Sequence, residues 1–423
     1  NPGTLTEPKL TIQSAINAAA APVEVRVAEG TYDISDQITM KNGVSILGGY
    51  SGDFSERNIA VHETIITDTR EPDEYGAFST IYCSGISDAE RIDGFTINGC
   101  NAVDLAWSVC IYNTNSNPTI SNNTIIGAGS RSTGIENQSS SPIISNNTIN
   151  GGDTGSIERF TGINNQSSSP TILNNTINGG PNKTTTCINN HFSPATIMNN
   201  VLNAEGIVFG GNQSVGIYIF SSEPKIMNNI IHGGITARSF GIFNDCSSPD
   251  IANNTINGGS GDGYAIGIQV FSTYSSSPSQ PLIRNNVIFT DGSGIRWGIL
   301  EKDVESDPAM VRNNALFDCP DALYRDEDSV SITAVDQDIT TGDGTQTLEF
   351  WGNINEGTTG IFDDFSGGDW HLTDTSPLNI RGGGITISGI TSDKDDIART
   401  GSTPTGMTNA GAQGWSMGAY EKD

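Results

Sequence analysis

Four ionisable side chains, Glu136, His191, Asp245 and Arg296, fall in a short phrase that the sequence repeats, each one or three residues past an isoleucine. A base and a cation on one surface are the parts needed to take a proton beside a sugar carboxylate, with the cation or a Ca2+ ion neutralising that carboxylate. His191 is the candidate base and Arg296 the candidate cation. Carboxylates paired about 5–9.5 Å apart would suit glycoside hydrolysis instead. Among the ionisable residues stand Tyr112, Asn164, Gln166, Asn189, Tyr218, Phe220, Phe243, Gln269 and Phe271. Rings pack on the C–H faces of pyranoses, while amides and carboxylates bond hydroxyls, so this mixture suits sugar binding.

These residues act together only if the phrase stacks in space. Aligned, it reads Cys110-Ile111-Tyr112, Gly134-Ile135-Glu136, Gly162-Ile163-Asn164, Cys187-Ile188-Asn189, Gly216-Ile217-Tyr218, Gly241-Ile242-Phe243 and Gly267-Ile268-Gln269. The eighth copy matches twice, at Gly294-Ile295-Arg296 and at Gly298-Ile299-Leu300, and the first alignment is taken. In a strand each Ile points inward and the next residue outward. One outward column then runs from Tyr112 through Glu136, Asn164, Asn189, Tyr218, Phe243 and Gln269 to Arg296. A second, two positions on, holds Thr114, Gln138, Gln166, His191, Phe220, Asp245 and Phe271. At about 4.8 Å per strand, His191 lies about 10 Å from both Glu136 and Asp245 and about 19 Å from Arg296. Acid–base partners must nearly touch, so a proton-transfer site is incomplete on these columns. No two outward acids occupy adjacent copies, which disfavours hydrolysis. A binding groove needs no such pair; its alternative is a face covered by the loops 203–214 and 256–266.

The stacking itself follows from a second repeat. Asn-Asn pairs begin at Asn122, Asn146, Asn174, Asn199, Asn228, Asn253, Asn285 and Asn313, at irregular intervals of 24 to 32 residues. That is the mark of a solenoid with variable loops. The phrase lacks the 3.6-residue apolar spacing of a helix; Thr-Ile and Pro-x-Ile pieces read as short strands. Asn tolerates the left-handed backbone of a sharp corner, and stacked Asn amides bond one another along an axis. Three strands and their turns in each repeat make one coil of a parallel β-helix. The Asn-x-Thr sequons at these corners read as ladder geometry rather than as sugar attachment sites.

Composition agrees. Hydrophobic residues are 35% of the 423, and 50 glycines complete an ordinary globular share. The net charge is −28, with 23 acids against 7 bases in residues 301–423. Such a surface repels nucleic-acid phosphates and anionic lipid. No run approaches the roughly 18 apolar residues of a membrane span, and Asn1-Pro2-Gly3-Thr4 does not read as a signal peptide. Six cysteines show no metal-like spacing; most are expected to be buried thiols, while one disulfide among Cys83, Cys100 and Cys110 stays open. Asp363-Asp364 and Asp395-Asp396 could hold Ca2+, although a solvated acidic surface is the plainer reading.

Three further stretches carry a resemblance. They are Thr11-Ile12-Gln13-Ser14-Ala15-Ile16 followed by Val25-Arg26-Val27-Ala28-Glu29-Gly30-Thr31-Tyr32, then Arg91-Ile92-Asp93-Gly94-Phe95-Thr96-Ile97. The third is a tail of Asp369-Trp370-His371-Leu372, Ser376-Pro377-Leu378 and Gly418-Ala419-Tyr420-Glu421. In these the chain resembles the secreted right-handed parallel β-helix proteins of the pectate-lyase-like superfamily. That resemblance implies export to the medium or the cell surface. The superfamily holds lyases, hydrolases, epimerases and adhesins, so no activity follows from it alone. The expected organisation is an N-terminal cap over 1–22 with a helix at 11–21, coils over 23–330, and an acidic capping region over 331–423. The expected role is glycan binding or adhesion along the stacked strands, with a lyase acting on an acidic polysaccharide and a ligand-free surface spacer as alternatives.

Overall fold

The computed structural model describes residues 2–326 apart from 104–105, 153–157, 207–211 and 275–276. Beyond 326 it describes 331–332, 339–340, 347–348, 350–351, 362–364, 369–372, 376, 392–395, 399 and 417–419. The chain is an all-β right-handed parallel β-helix, made of two compact units, residues 1–195 and 196–423.

In the first unit a helix, Ile12–Ala18, precedes the coils. It is shorter than the expected 11–21. Thr11 is extended and its side chain accepts the Ser14 N–H, which starts the helix there, and Ala19 is already extended. Ile12 and Ile16 are its buried residues. Each later coil contributes one strand to each of three sheets, as in Thr119–Ser121, Thr124–Ile126 and Arg131–Gln138. Their partners one coil on, Ile143–Ser145, Thr148–Asn150 and Arg159–Gln166, pair in parallel without slippage. The middle residue of each short strand is an inward aliphatic, such as Ile120, Ile125, Ile144 and Ile149, with no solvent exposure. Fully burying one such side chain stabilises by roughly 1.5–3 kcal/mol, which explains why a three-residue strand suffices when it recurs.

The Asn-Asn pairs turn the chain from the first sheet to the second, and the two residues divide the work. The first adopts the left-handed region, with φ of 56° at Asn122 and Asn146 and 55° at Asn174. The second is buried and forms the ladder. Asn123 Nδ2 donates to Asn147 Oδ1 at 3.1 Å, and Asn147 Nδ2 to Asn175 Oδ1 at 3.0 Å. A second ladder runs inside the third sheet, from Asn113 to Asn137 to Asn165 to Asn190. The sequon asparagine is therefore the corner residue and not the ladder residue, and Asn122, Asn146 and Asn174 are exposed. This corrects the reading that ladder geometry occupies the sequon.

The second unit repeats the plan with strands such as Lys225–Met227, Ile230–His232 and Arg238–Asp245. Its ladder runs from Asn200 through Asn229, Asn254 and Asn286 to Asn314. The outer face of its second sheet differs. Where the first unit presents Thr124, Thr148 and Thr176, the second presents Val201, Ile230, Val287 and Ala315 with a single threonine, Thr255, among them. Leu372, Met417 and Ala419 from the tail pack on that apolar face with Phe289 and Phe317. Arg399, also buried, donates to Asn228 Oδ1 and to the carbonyl oxygens of Gly418 and Ala419. The amide oxygen of Asn253, turned toward the same guanidinium, accepts from it at 3.0–3.2 Å. Leu372, Arg399 and residues 417–419 thus lie along the side of the coils; Tyr420 and Glu421, with Pro377 and Leu378, lie outside the described residues. At the end of the third sheet Ser331–Ile332 pairs antiparallel with Ala322–Arg325, and Phe350–Trp351 extends the first sheet in parallel with Met310–Arg312. The six cysteines are buried and unbridged.

Candidate functional site

The strands of the third sheet are long because they carry outward residues on both sides of a phase break. At Gly134 a Cβ would lie 2.6 Å from Ile149 Cγ2 in the core, so this position faces inward, as does its neighbour Ile135. Two consecutive inward residues invert the alternation upstream. Thr133 therefore faces out, where its Oγ1 accepts the Trp107 Nε1–H at 3.1 Å. The same glycine recurs at Gly162, Gly216, Gly241 and Gly267, each closely packed.

In the first unit the register places Tyr112, Glu136, Asn164 and Asn189 in one row, and Gln138, Gln166 and His191 in the next. The expected columns are present there. Asn189 Nδ2 donates to Asn164 Oδ1 at 2.7 Å, and Asn164 Nδ2 donates to both oxygens of Glu136 at 2.9 and 2.7 Å. Asn164 is thereby 6% exposed, a linker within the row more than a free ligand group. Burial pushes the Glu136 carboxyl up to about 7, against the lowering effect of the Asn164 amide. Tyr112 donates to Gln138 Oε1, and desolvation followed by the Glu136 charge raises its phenol. His191 is half-buried with its ring edge-on to Phe192. Asn189 and Gln166 stay accessible.

In the second unit the row contains Tyr218, Phe243, Gln269 and Leu300. The eighth copy is therefore Gly298-Ile299-Leu300, and Arg296 leaves the column. It aligns with the buried Ala265, because Gly298, and not Gly294, is the glycine whose added Cβ would clash with the neighbouring Leu323 carbonyl oxygen in the recurring way. Two other expectations are corrected. Asp245 is buried and accepts the Thr273 N–H and Oγ1–H at 2.8 and 2.6 Å, so it fastens a loop. Gln269 is 5% exposed. The rings do cluster: Tyr218 and Phe243 are 5.2 Å apart, and Phe243 meets Phe271 edge-on at 6.4 Å. Phe220 meets Tyr274, itself 56% exposed. Desolvation raises the Tyr218 phenol to about 12.

Strict alternation from the isoleucine missed Phe240, Tyr264 and Trp297, which lie upstream of the phase break. Phe240 packs under Phe243 and Tyr264, and Tyr264 stacks toward Trp297. Phe240 is buried with Val215, Ile266 and Leu300 below the half-buried rings. The recurring Gly before Ile was the signal that could have revealed them. Among the described residues no group of three or more His, Cys, Asp or Glu side chains is placed to hold a metal ion. Asp396 and the side chains of Asp363 and Asp364 lie outside them.

The pectate lyase Pel9A superposes with a TM-score of 0.55 at 14% identity, covering 99% of this chain and 92% of its own. The A-module of the Azotobacter vinelandii mannuronan C-5 epimerase AlgE6 gives 0.47 at 15% identity, covering 82% of this chain and 94% of its own. The Streptococcus pneumoniae surface adhesin PfbA gives 0.28 at 14% identity, covering 69% and 84%. The Pel9A likeness establishes the fold alone. No curated protein matches the sequence, and no helix among the described residues is long and apolar enough to cross a membrane. One family, described as a protein of unknown function (DUF1565), matches residues 1–209 and 195–326, and the chain belongs to it.

Proposed function

We propose that this protein works outside the cell or on its surface as a carbohydrate-binding or adhesive β-helix, with a glycan laid on the outward face of the third sheet. The observation that carries this reading is the ring platform of the second unit. Tyr218 and Phe243 are half-buried side chains over a bed of Val215, Phe240, Ile266 and Leu300, and the half-buried Phe220 and Phe271 flank them in the next row, Phe271 edge-on to Phe243. A row of rings on rigid strands is held in place at little further entropic cost, and solenoid faces of this kind serve as extended binding surfaces. On a glycan array the unsubstituted chain should bind, and Tyr218→Ala or Phe243→Ala should weaken that binding about tenfold. Unchanged binding in both variants would remove the platform from the reading; no signal on any glycan would favour a surface spacer.

A second reading is a lyase acting on an acidic polysaccharide. It is favoured by Glu136, a carboxyl that titrates near neutrality on the outward face, where it could accept a proton. His191 shares that face two coils away. Ultraviolet absorbance of an unsaturated product, followed over a panel of acidic polysaccharides with and without Ca2+, tests it. A trace that stays flat throughout contradicts the lyase.

A further inference from the structure

At the start of the third-sheet strands of the first unit, Arg131 pairs in register with Arg159 on the next coil. The two side chains therefore leave backbones about 4.8 Å apart. Trp107 lies on the coil before, and Thr184 on the coil after. With Glu158 they line a surface cleft of about 350 Å3. The indole is fixed as one wall by its bond to Thr133.

Like charges opposite one another on neighbouring strands repel. Among the described residues neither guanidinium has a side-chain hydrogen-bond or ion-pair partner to offset that repulsion directly. Glu158, the acid on the rim, lies 3.4 Å from the Lys183 ammonium instead. A chain of net charge −28 thus keeps a local cationic cleft beside an aromatic wall. Guanidinium forks bond the oxygens of carboxylates and sulfates in pairs, and an indole packs on the C–H face of a sugar. We propose that Trp107, Arg131 and Arg159 form a subsite for an anionic pyranose, bearing a carboxylate or a sulfate ester. The sugar part of this assignment rests on the carbohydrate reading above; its charge rests on the arginine pair.

The test uses the full chain with dextran, carboxymethyl dextran and dextran sulfate in titration calorimetry, beside an Arg131→Gln/Arg159→Gln double variant. Arg159 is exposed and Arg131 half-buried, and an unchanged circular-dichroism spectrum verifies folding of the variant. At least one anionic polymer should bind about tenfold or more tightly than dextran, and the double variant should lose that preference. The polymer preferred by the unsubstituted chain separates carboxylate from sulfate. Equal binding of all three polymers overturns the subsite, as does a preference that survives in the double variant. An oligodeoxythymidylate that binds as tightly as the better anionic polymer overturns the assignment to sugar. Loss of the anionic preference in the double variant, with no effect of Phe243→Ala on any glycan, upholds the subsite while rejecting the ring platform.

Discussion

Adjacent asparagines in this chain do opposite jobs, and substitution separates them. Asn147 donates through Nδ2 to Ile120 O, Ser145 O and Asn175 Oδ1, and its own Oδ1 accepts from Asn123. Asn147→Ala leaves several of these buried groups unpaired and should cost about 3 kcal/mol in denaturant unfolding. Asn146→Gly keeps the left-handed corner and should cost no more than about 0.5 kcal/mol. A similar loss in both would contradict the division of labour. Glu136 makes a pH-dependent prediction. Its folded-state carboxyl is raised from 4.5 to about 7 by burial, so ionisation is harder in the folded chain than in the unfolded one. Its contribution is fully present below the unfolded value and lost as pH rises through about 7. Glu136→Gln should therefore match the unsubstituted chain near pH 4 and exceed it by about 3 kcal/mol at pH 8. Parallel stability curves across that range would rule this out.

At the scale of elements, the tail and the second sheet of the second unit form one packed layer. The apolar Ile230, Val287, Ala315, Phe289 and Phe317 need a cover, and Leu372, Met417 and Ala419 supply it. Arg399 holds the layer by bonding two corner asparagines and two tail carbonyls. Arg399→Met should leave those acceptors unpaired. Hydrogen exchange should then accelerate at the amides of Gly418 and Ala419, which bond Asn285 O and Thr255 Oγ1. Unaltered protection there would show that apolar contact alone secures the tail. None of this was legible in the sequence. A solenoid repeat announces itself by period, whereas a strap is a set of long-range contacts without one.

For the whole molecule, what repeated could be read and what interrupted the repeat could not. The Asn pairs, the inward isoleucines and the first-unit row from Tyr112 to Asn189 follow from two-fold alternation and stacking. Phe240 and Trp297 were missed because a glycine without a Cβ lets two consecutive residues face inward, which shifts everything upstream by one, and Arg296 was misplaced because the eighth copy was aligned on Gly294 instead of Gly298. Asp245 and Gln269 have outward register and yet are buried, Asp245 beneath the Thr273 loop that bonds it, and register carries no information on what lies above a strand. On the proposal above, the third-sheet face is the working surface. Its most direct test is equilibrium binding of the best glycan from the array to the unsubstituted chain, to Phe243→Ala, and to Thr148→Val on the second sheet. The account predicts affinity lowered about tenfold by Phe243→Ala and unchanged by Thr148→Val. Equal affinities for all three, or a loss confined to Thr148→Val, would contradict it.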